Sequence, residues 1–134
     1  QAQPGNIINF YDGELVQDFA DSKGDKLNPI ASYLVFDCLV SGGTNVMHLN
    51  FRQRLVMANI FINKNHTIYR KYTNSNTNCL ITLYIKDVFE IWQCEMLFKL
   101  IHPETGILLH ENDGLIFTTD ACPYYPGSCN EIMK

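Results

Sequence analysis

Asp12-Gly13-Glu14 near the start of the chain and Asp113-Gly114 near its end each open an apolar, strand-like run, Leu15-Val16 in one case and Leu115-Ile116-Phe117 in the other. Asp and Gly are poor strand formers, so their placement asks for either a turn or a site. Asp-Gly is a common hairpin dipeptide, and a turn accounts for each pair taken singly. Two carboxylate positions held by strands can also do chemistry, because they supply oxygen donors for a divalent metal ion. Other metal chemistry has less support. The five cysteines, Cys38, Cys79, Cys94, Cys122 and Cys129, have no tight pairs, and the nearest approach, Cys122 with Cys129, lacks a second pair of zinc ligands. His48, His66, His102 and His110 are scattered and lack helical i, i+4 spacing.

The elements that must position these residues follow from periodicity. Ile7 to Phe19 gives two short strand candidates interrupted at Asp12-Gly13, and Asp21 to Asp25 is a polar turn. Ser32 to Ser41 is the clearest strand. Alternation puts Tyr33, Val35, Asp37 and Leu39 on one face and Leu34, Phe36, Cys38 and Val40 on the other, and a strand apolar on both faces is central. Asp37 then needs a partner, because an unpaired carboxylate in a buried strand costs several kcal/mol, on the order of the penalty for any buried ion. Asn50 is placed to cap a helix from Phe51 to about Ile62, built on Phe51, Leu55, Ala58 and Ile62, with Arg52 and Arg54 on its other faces, solvated, salt-bridged or touching phosphate. The Asn-rich stretch 63–78 reads as a loop, and its sequon Asn65-His66-Thr67 as idle. Leu80 to Ile85 reads as a strand. Ile91 to Ile101, with Trp92, Met96 and Phe98, reads as a core helix ended by Pro103 and Gly106.

A chain of 134 residues, 46% apolar, is one domain at most and can bury a core. Its net charge of −4 gives no wholesale attraction to nucleic acid or an anionic membrane. Its apolar runs are too short to span a bilayer, and the expectation is a soluble, intracellular protein with free thiols. Gln1 in place of Met, and Lys134 ending an alternating run, suggest a piece of a longer protein. Short strands interleaved with two helices, without regular βαβ alternation or a glycine-rich phosphate loop, predict an α+β domain with a mostly antiparallel sheet flanked by helices.

In order, Asp12-Gly13-Glu14, Tyr33-Leu34-Val35-Phe36-Asp37, Asp113-Gly114-Leu115-Ile116-Phe117 and the closing run Tyr124-Tyr125-Pro126-Gly127 to Ile132-Met133-Lys134 resemble the nucleotidyltransferase domain of mRNA capping enzymes. These guanylyltransferases share a covalent nucleotidyltransferase superfamily with ATP-dependent DNA and RNA ligases, and Lys86-Asp87-Val88-Phe89 resembles a further segment of the capping enzymes. The Lys-x-Asp-Gly-x-Arg signature, whose lysine carries GMP in that family, occurs nowhere in the chain. The resemblance therefore implies that residues 1–134 are part of an ATP-grasp-like nucleotidyltransferase domain, downstream of the nucleophile. It implies GTP and 5′-diphosphate RNA as substrates, Mg2+ or Mn2+ as cofactor, the RNA polymerase II tail as a partner, and a nuclear location, or a cytoplasmic one for a viral member.

By the same resemblance Glu14, Phe36, Lys86 and Lys134 would contact the nucleotide. Phe36 would stack on the purine, with Tyr33 as a rival, and Asp37 would brace the strand. Asp113 and Glu14 would hold the metal, Asp113 foremost. An ATP-dependent ligase and a nucleotidyltransferase-like module without catalysis are the alternatives.

Overall fold

The computed structural model describes residues 8–20, 26–72, 81–101, 110, 114–130 and 132–133. Four strands form the main sheet: β1 (Phe10–Ala20), β2 (Lys26–Ser41), β3 (Thr44–Asn45) and β4 (Ile81–Ile85). Helix α1 (Phe51–Tyr72) precedes β4, a 3-10 turn (Ile91–Gln93) leads into α2 (Cys94–Leu100), and β5 (Phe117–Thr118) pairs with β6 (Ile132–Met133) as a separate two-stranded ribbon. The fold is α+β. As expected, β2 is central: β1 pairs along one edge, and β3 and β4 pair along the other.

Pairing is antiparallel for β1–β2, β2–β3 and β5–β6 but parallel for β2–β4. A parallel pair needs a long crossover, and α1 supplies it. One βαβ-like unit is thus present where none was expected. The helix begins as the sequence indicates. Gln53 N donates to Asn50 Oδ1 at 2.8 Å and Asn50 N to Gln53 Oε1 at 3.2 Å, a reciprocal cap that satisfies two backbone donors. It runs to Tyr72, ten residues beyond Ile62, through a stretch expected to be loop. Asn and Thr are poor helix formers but not forbidden ones.

Strand β1 is continuous through Asp12-Gly13, so no turn interrupts it. The irregularity lies on the facing strand. Tyr11 pairs with Cys38 and Phe10 with Val40, then Asp12 pairs with Asp37 and Gly13 with Val35, so Leu39 and Phe36 each lack a partner on β1. Such β-bulges insert one extra residue and break the two-residue alternation. The expected assignment of Val35 and Cys38 to opposite faces therefore fails: both are fully buried in one core with Ala58 and Ile62 of α1, and Tyr33 and Ile85 pack against it.

Burial pushes the Cys38 thiol up from its usual 9.0 to about 11, with the Asp37 charge adding to the effect and Arg54 opposing it. A thiol that keeps its proton longer when folded contributes stability that is intact below about pH 9 and lost as pH rises through about 11. Urea midpoints should therefore hold level up to pH 8.5 and fall between about pH 9 and 11, less steeply in Cys38→Ala. An unchanged slope in that variant would rule out Cys38 as the source.

The expected core helix over 91–101 is corrected. It is a 3-10 turn followed by the short α2, and neither contains a buried residue; Trp92 is 78% and Ile91 69% exposed. Apolar composition marks a segment that can be buried, but burial also requires an element to pack over it. No described helix is long and apolar enough to cross a membrane. The expected turn at 21–25, the remainder of the expected loop at 73–78 and the stop at Pro103 and Gly106 lie outside the described residues.

Candidate functional site

Val35 faces α1, so Leu34, its neighbour along β2, faces the other way. Glu14 is the cross-strand partner of Leu34 and shares that face. Lys86 directly follows β4 and is held by its backbone, whose N donates to Val35 O at 2.8 Å. Its Nζ reaches Glu14 Oε2 at 3.2 Å, a bridge between strands on opposite edges of β2. Both side chains keep substantial solvent access, and an exposed pair of this kind contributes about 0–1 kcal/mol. The pair can exchange its partners for a ligand at little cost.

Phe36 sits one residue beyond the Val35 carbonyl that fixes Lys86, at the bulge and half-buried. Bulges next to sites re-aim side chains, and here an aromatic leaves the strand without a cross-strand neighbour. Tyr33, the rival for the stacking role, is placed differently. It packs on the core side, and its ring lies over Gly13, where an added Cβ would be 2.5 Å from Cε1.

Asp37 has the structural partner its burial requires. Arg54, 1% exposed, donates from Nε to Oδ1 at 2.7 Å and from Nη2 to Oδ2 at 2.8 Å, and Cys38 N also donates to Oδ1 at 2.7 Å. Nη1 of Arg54 donates to the carbonyls of Leu49 at 2.6 Å and Cys122 at 2.8 Å. The Phe51 and Tyr124 rings lie 5.7 and 6.0 Å from Cζ. Arg54 is thus salt-bridged, one of the outcomes expected for both arginines, but on the buried face of α1 rather than away from it; Arg52 is an exposed salt-bridged residue, with Glu90 at 3.0 Å and Asp120 at 3.6 Å.

Three further contacts converge on β1. Tyr124 OH donates to Asp12 Oδ2 at 2.7 Å, and burial, followed by that hydrogen bond and the Asp12 charge, pushes the phenol up to about 12. Ser32 Oγ donates to Asp18 Oδ2 at 2.5 Å, while His110 Nδ1 lies 3.0 Å from Asp18 Oδ1. The Ser32 proton is directed at the carboxylate rather than at the imidazole, so this trio is not arranged to make a nucleophile. It ties His110, three residues before Asp113, to the sheet.

The structure therefore brings Glu14, Lys86 and the bulged Phe36 to neighbouring positions on the sheet, while Asp113 and Lys134 lie outside the described residues. Among the described residues no group of three or more His, Cys, Asp or Glu could hold a metal. The Sγ atoms of Cys122 and Cys129 lie 3.7 Å apart. A groove of about 660 Å3 lined by Trp92, Gln93, Glu95, Met96, Lys99 and Leu100 involves none of the candidate residues. Sequence reasoning missed Arg54, Tyr124 and the Asp18 contacts. A signal existed for Arg54 alone, which lies in the four-residue rhythm Arg54, Ala58, Ile62 of the buried stripe.

Residues 5–134 match the family described as mRNA capping enzyme, catalytic domain. Over 130 residues the chain is 31% identical to the protein named mRNA-capping enzyme subunit alpha of Schizosaccharomyces pombe (strain 972 / ATCC 24843), an alignment covering 96% of this chain and 31% of the relative. The chain thus spans about a third of the length of the curated relative it matches.

Proposed function

The chain belongs to the mRNA capping enzyme catalytic-domain family, and from that premise we propose that it forms the nucleotide-facing wall of a GTP:RNA guanylyltransferase. In this reading a lysine amine attacks the α-phosphorus of GTP. A P–N bond forms, the bond to the β-phosphate oxygen breaks, and pyrophosphate leaves. A terminal oxygen of 5′-diphosphate RNA then attacks the same phosphorus, and the P–N bond breaks to release the amine. The amine must be neutral to attack, which requires desolvation or nearby positive charge to lower a reference pKa of about 10.4. The Lys-x-Asp-Gly-x-Arg signature is not in these 134 residues, so in this proposal the nucleophile comes from elsewhere in the parent polypeptide.

The observation that carries the reading is the Glu14–Lys86 bridge beside the bulged Phe36. Phe36 would stack on the purine, Lys86 would turn from Glu14 to a phosphate oxygen, and Glu14 would then be released to the ribose or the cation. A bound Mg2+ or Mn2+ would neutralise phosphate charge. Glu14 offers it one carboxylate, and one or two suffice when phosphates and water complete the shell. Asp113 would be the second and Lys134 a further phosphate or base contact. The RNA substrate, a polymerase-tail partner and a nuclear site of action belong to the same proposal.

Incubating the full-length protein with Mg2+ and either α-labelled GTP or α-labelled ATP tests it. Labelling with GTP is expected, abolished by EDTA; an adduct with ATP alone would place the parent among the ligases. The 134-residue chain by itself should form no GMP adduct, and a labelled band from it would overturn the assignment of the nucleophile. In the full-length protein Phe36→Ala should weaken GTP binding about tenfold, as expected for loss of one base–aromatic stack. Unchanged GTP affinity would remove Phe36 from the site.

A further inference from the structure

We infer that Arg54 is a positioning residue for the nucleobase end of this site, because its guanidinium fixes the direction in which Phe36 leaves β2. The inference rests on Phe36 being the purine-stacking residue. Phe36 is bulged, so the cross-strand ladder with β1 does not hold it. Val35, before it, is held by both neighbouring strands, and the residue after it is fixed by its side chain. Asp37 accepts two hydrogen bonds from Arg54 and one from Cys38 N, at 2.7 to 2.8 Å, and the two charged side chains are only 9% and 2% exposed.

The same guanidinium holds the Leu49 and Cys122 carbonyls. Four donated bonds in a planar fork converge on β2, on the chain entering α1 and on the segment leading to Tyr124, whose hydroxyl reaches Asp12. Lysine, with one compact ammonium, cannot reproduce that geometry. None of these bonds involves Glu14 or Lys86, which pair with each other across β2. Arg54 therefore governs the base end of the site and leaves the phosphate end alone.

The distinction is measurable in the full-length protein, at a temperature where circular dichroism shows every variant folded, by comparing dissociation constants for GTP and for inorganic tripolyphosphate. Arg54→Lys should weaken GTP about tenfold, the equivalent of one stack, and leave tripolyphosphate within about twofold. The double variant Arg54→Lys/Phe36→Ala should bind GTP no more weakly than Phe36→Ala, because the arginine acts through that ring. Should Arg54→Lys fail to fold, Asp37→Asn, which keeps the side-chain shape while weakening the same clamp, carries the same expectations.

Weaker GTP binding in Phe36→Ala with no change in the clamp variants would overturn the inference alone. An equal loss for GTP and tripolyphosphate would reduce Arg54 to a purely structural role and overturn it as well. No effect of Phe36→Ala on GTP would instead overturn the stacking assignment, and the inference with it.

Discussion

Arg54→Met should lower the stability of the domain by about 3–5 kcal/mol, the cost of leaving a buried carboxylate without its cation. Asp37 is 7% exposed, and after the substitution its carboxylate would retain only the Cys38 N–H of its three observed donors. The Leu49 and Cys122 carbonyls would each lose a donor too. Domains of this size are stable by about 5–15 kcal/mol, so a loss on this scale brings the variant close to unfolding. The cost arises from breaking the pair rather than from lacking it. Arg54→Met/Asp37→Leu, which removes both charges and fills the space, should recover most of the loss. Urea unfolding of the single and double variants measures both quantities. A single variant within about 1 kcal/mol of the parent would mean that water reaches the carboxylate and that the clamp is not the closed arrangement described.

Gly13→Ala should cost about 2 kcal/mol or more, in the range seen when atoms are forced into filled space, and should lower Tm by roughly 6–10 °C. The added Cβ would stand 2.5 Å from Tyr33 Cε1 and 2.7 Å from the backbone oxygen of Leu34. A ring can turn aside; a carbonyl in the centre of a paired strand cannot, unless β1 and β2 separate. Gly13 lies between Asp12, bonded to Tyr124, and Glu14, bonded to Lys86, so any separation displaces both contacts. The glycine is thus required by close packing inside a strand rather than by a turn. A scanning-calorimetry Tm within about 2 °C of the parent would show that the strands yield more easily than this geometry allows.

The two positions also show why some of the site could be read in the residues and some could not. The Asn50 cap and the centrality of β2 follow from local periodicity and capping chemistry, and the structure keeps them. The need of Asp37 for a partner was legible from its burial alone. The partner was not, because the rhythm Arg54, Ala58, Ile62 puts the arginine on the buried stripe without saying what it meets there, and only the docking of α1 on β2 brings it to Asp37. Apolar residues at 91–101 failed as a guide for the complementary reason: periodicity reports which segments can be buried, not whether an element arrives to cover them.

The residues by themselves determined the order of the acidic-glycine, aromatic-acidic and lysine motifs, and with it the family. Tertiary structure decided their geometry. Bulges opposite Tyr11 and Asp12 break an alternation that a linear reading must assume to continue, because the extra residue shows only in the register between two strands. The parallel docking of β4 likewise brings Lys86 to Glu14 from 72 residues away, a contact set by strand pairing over a long crossover, which no local pattern encodes.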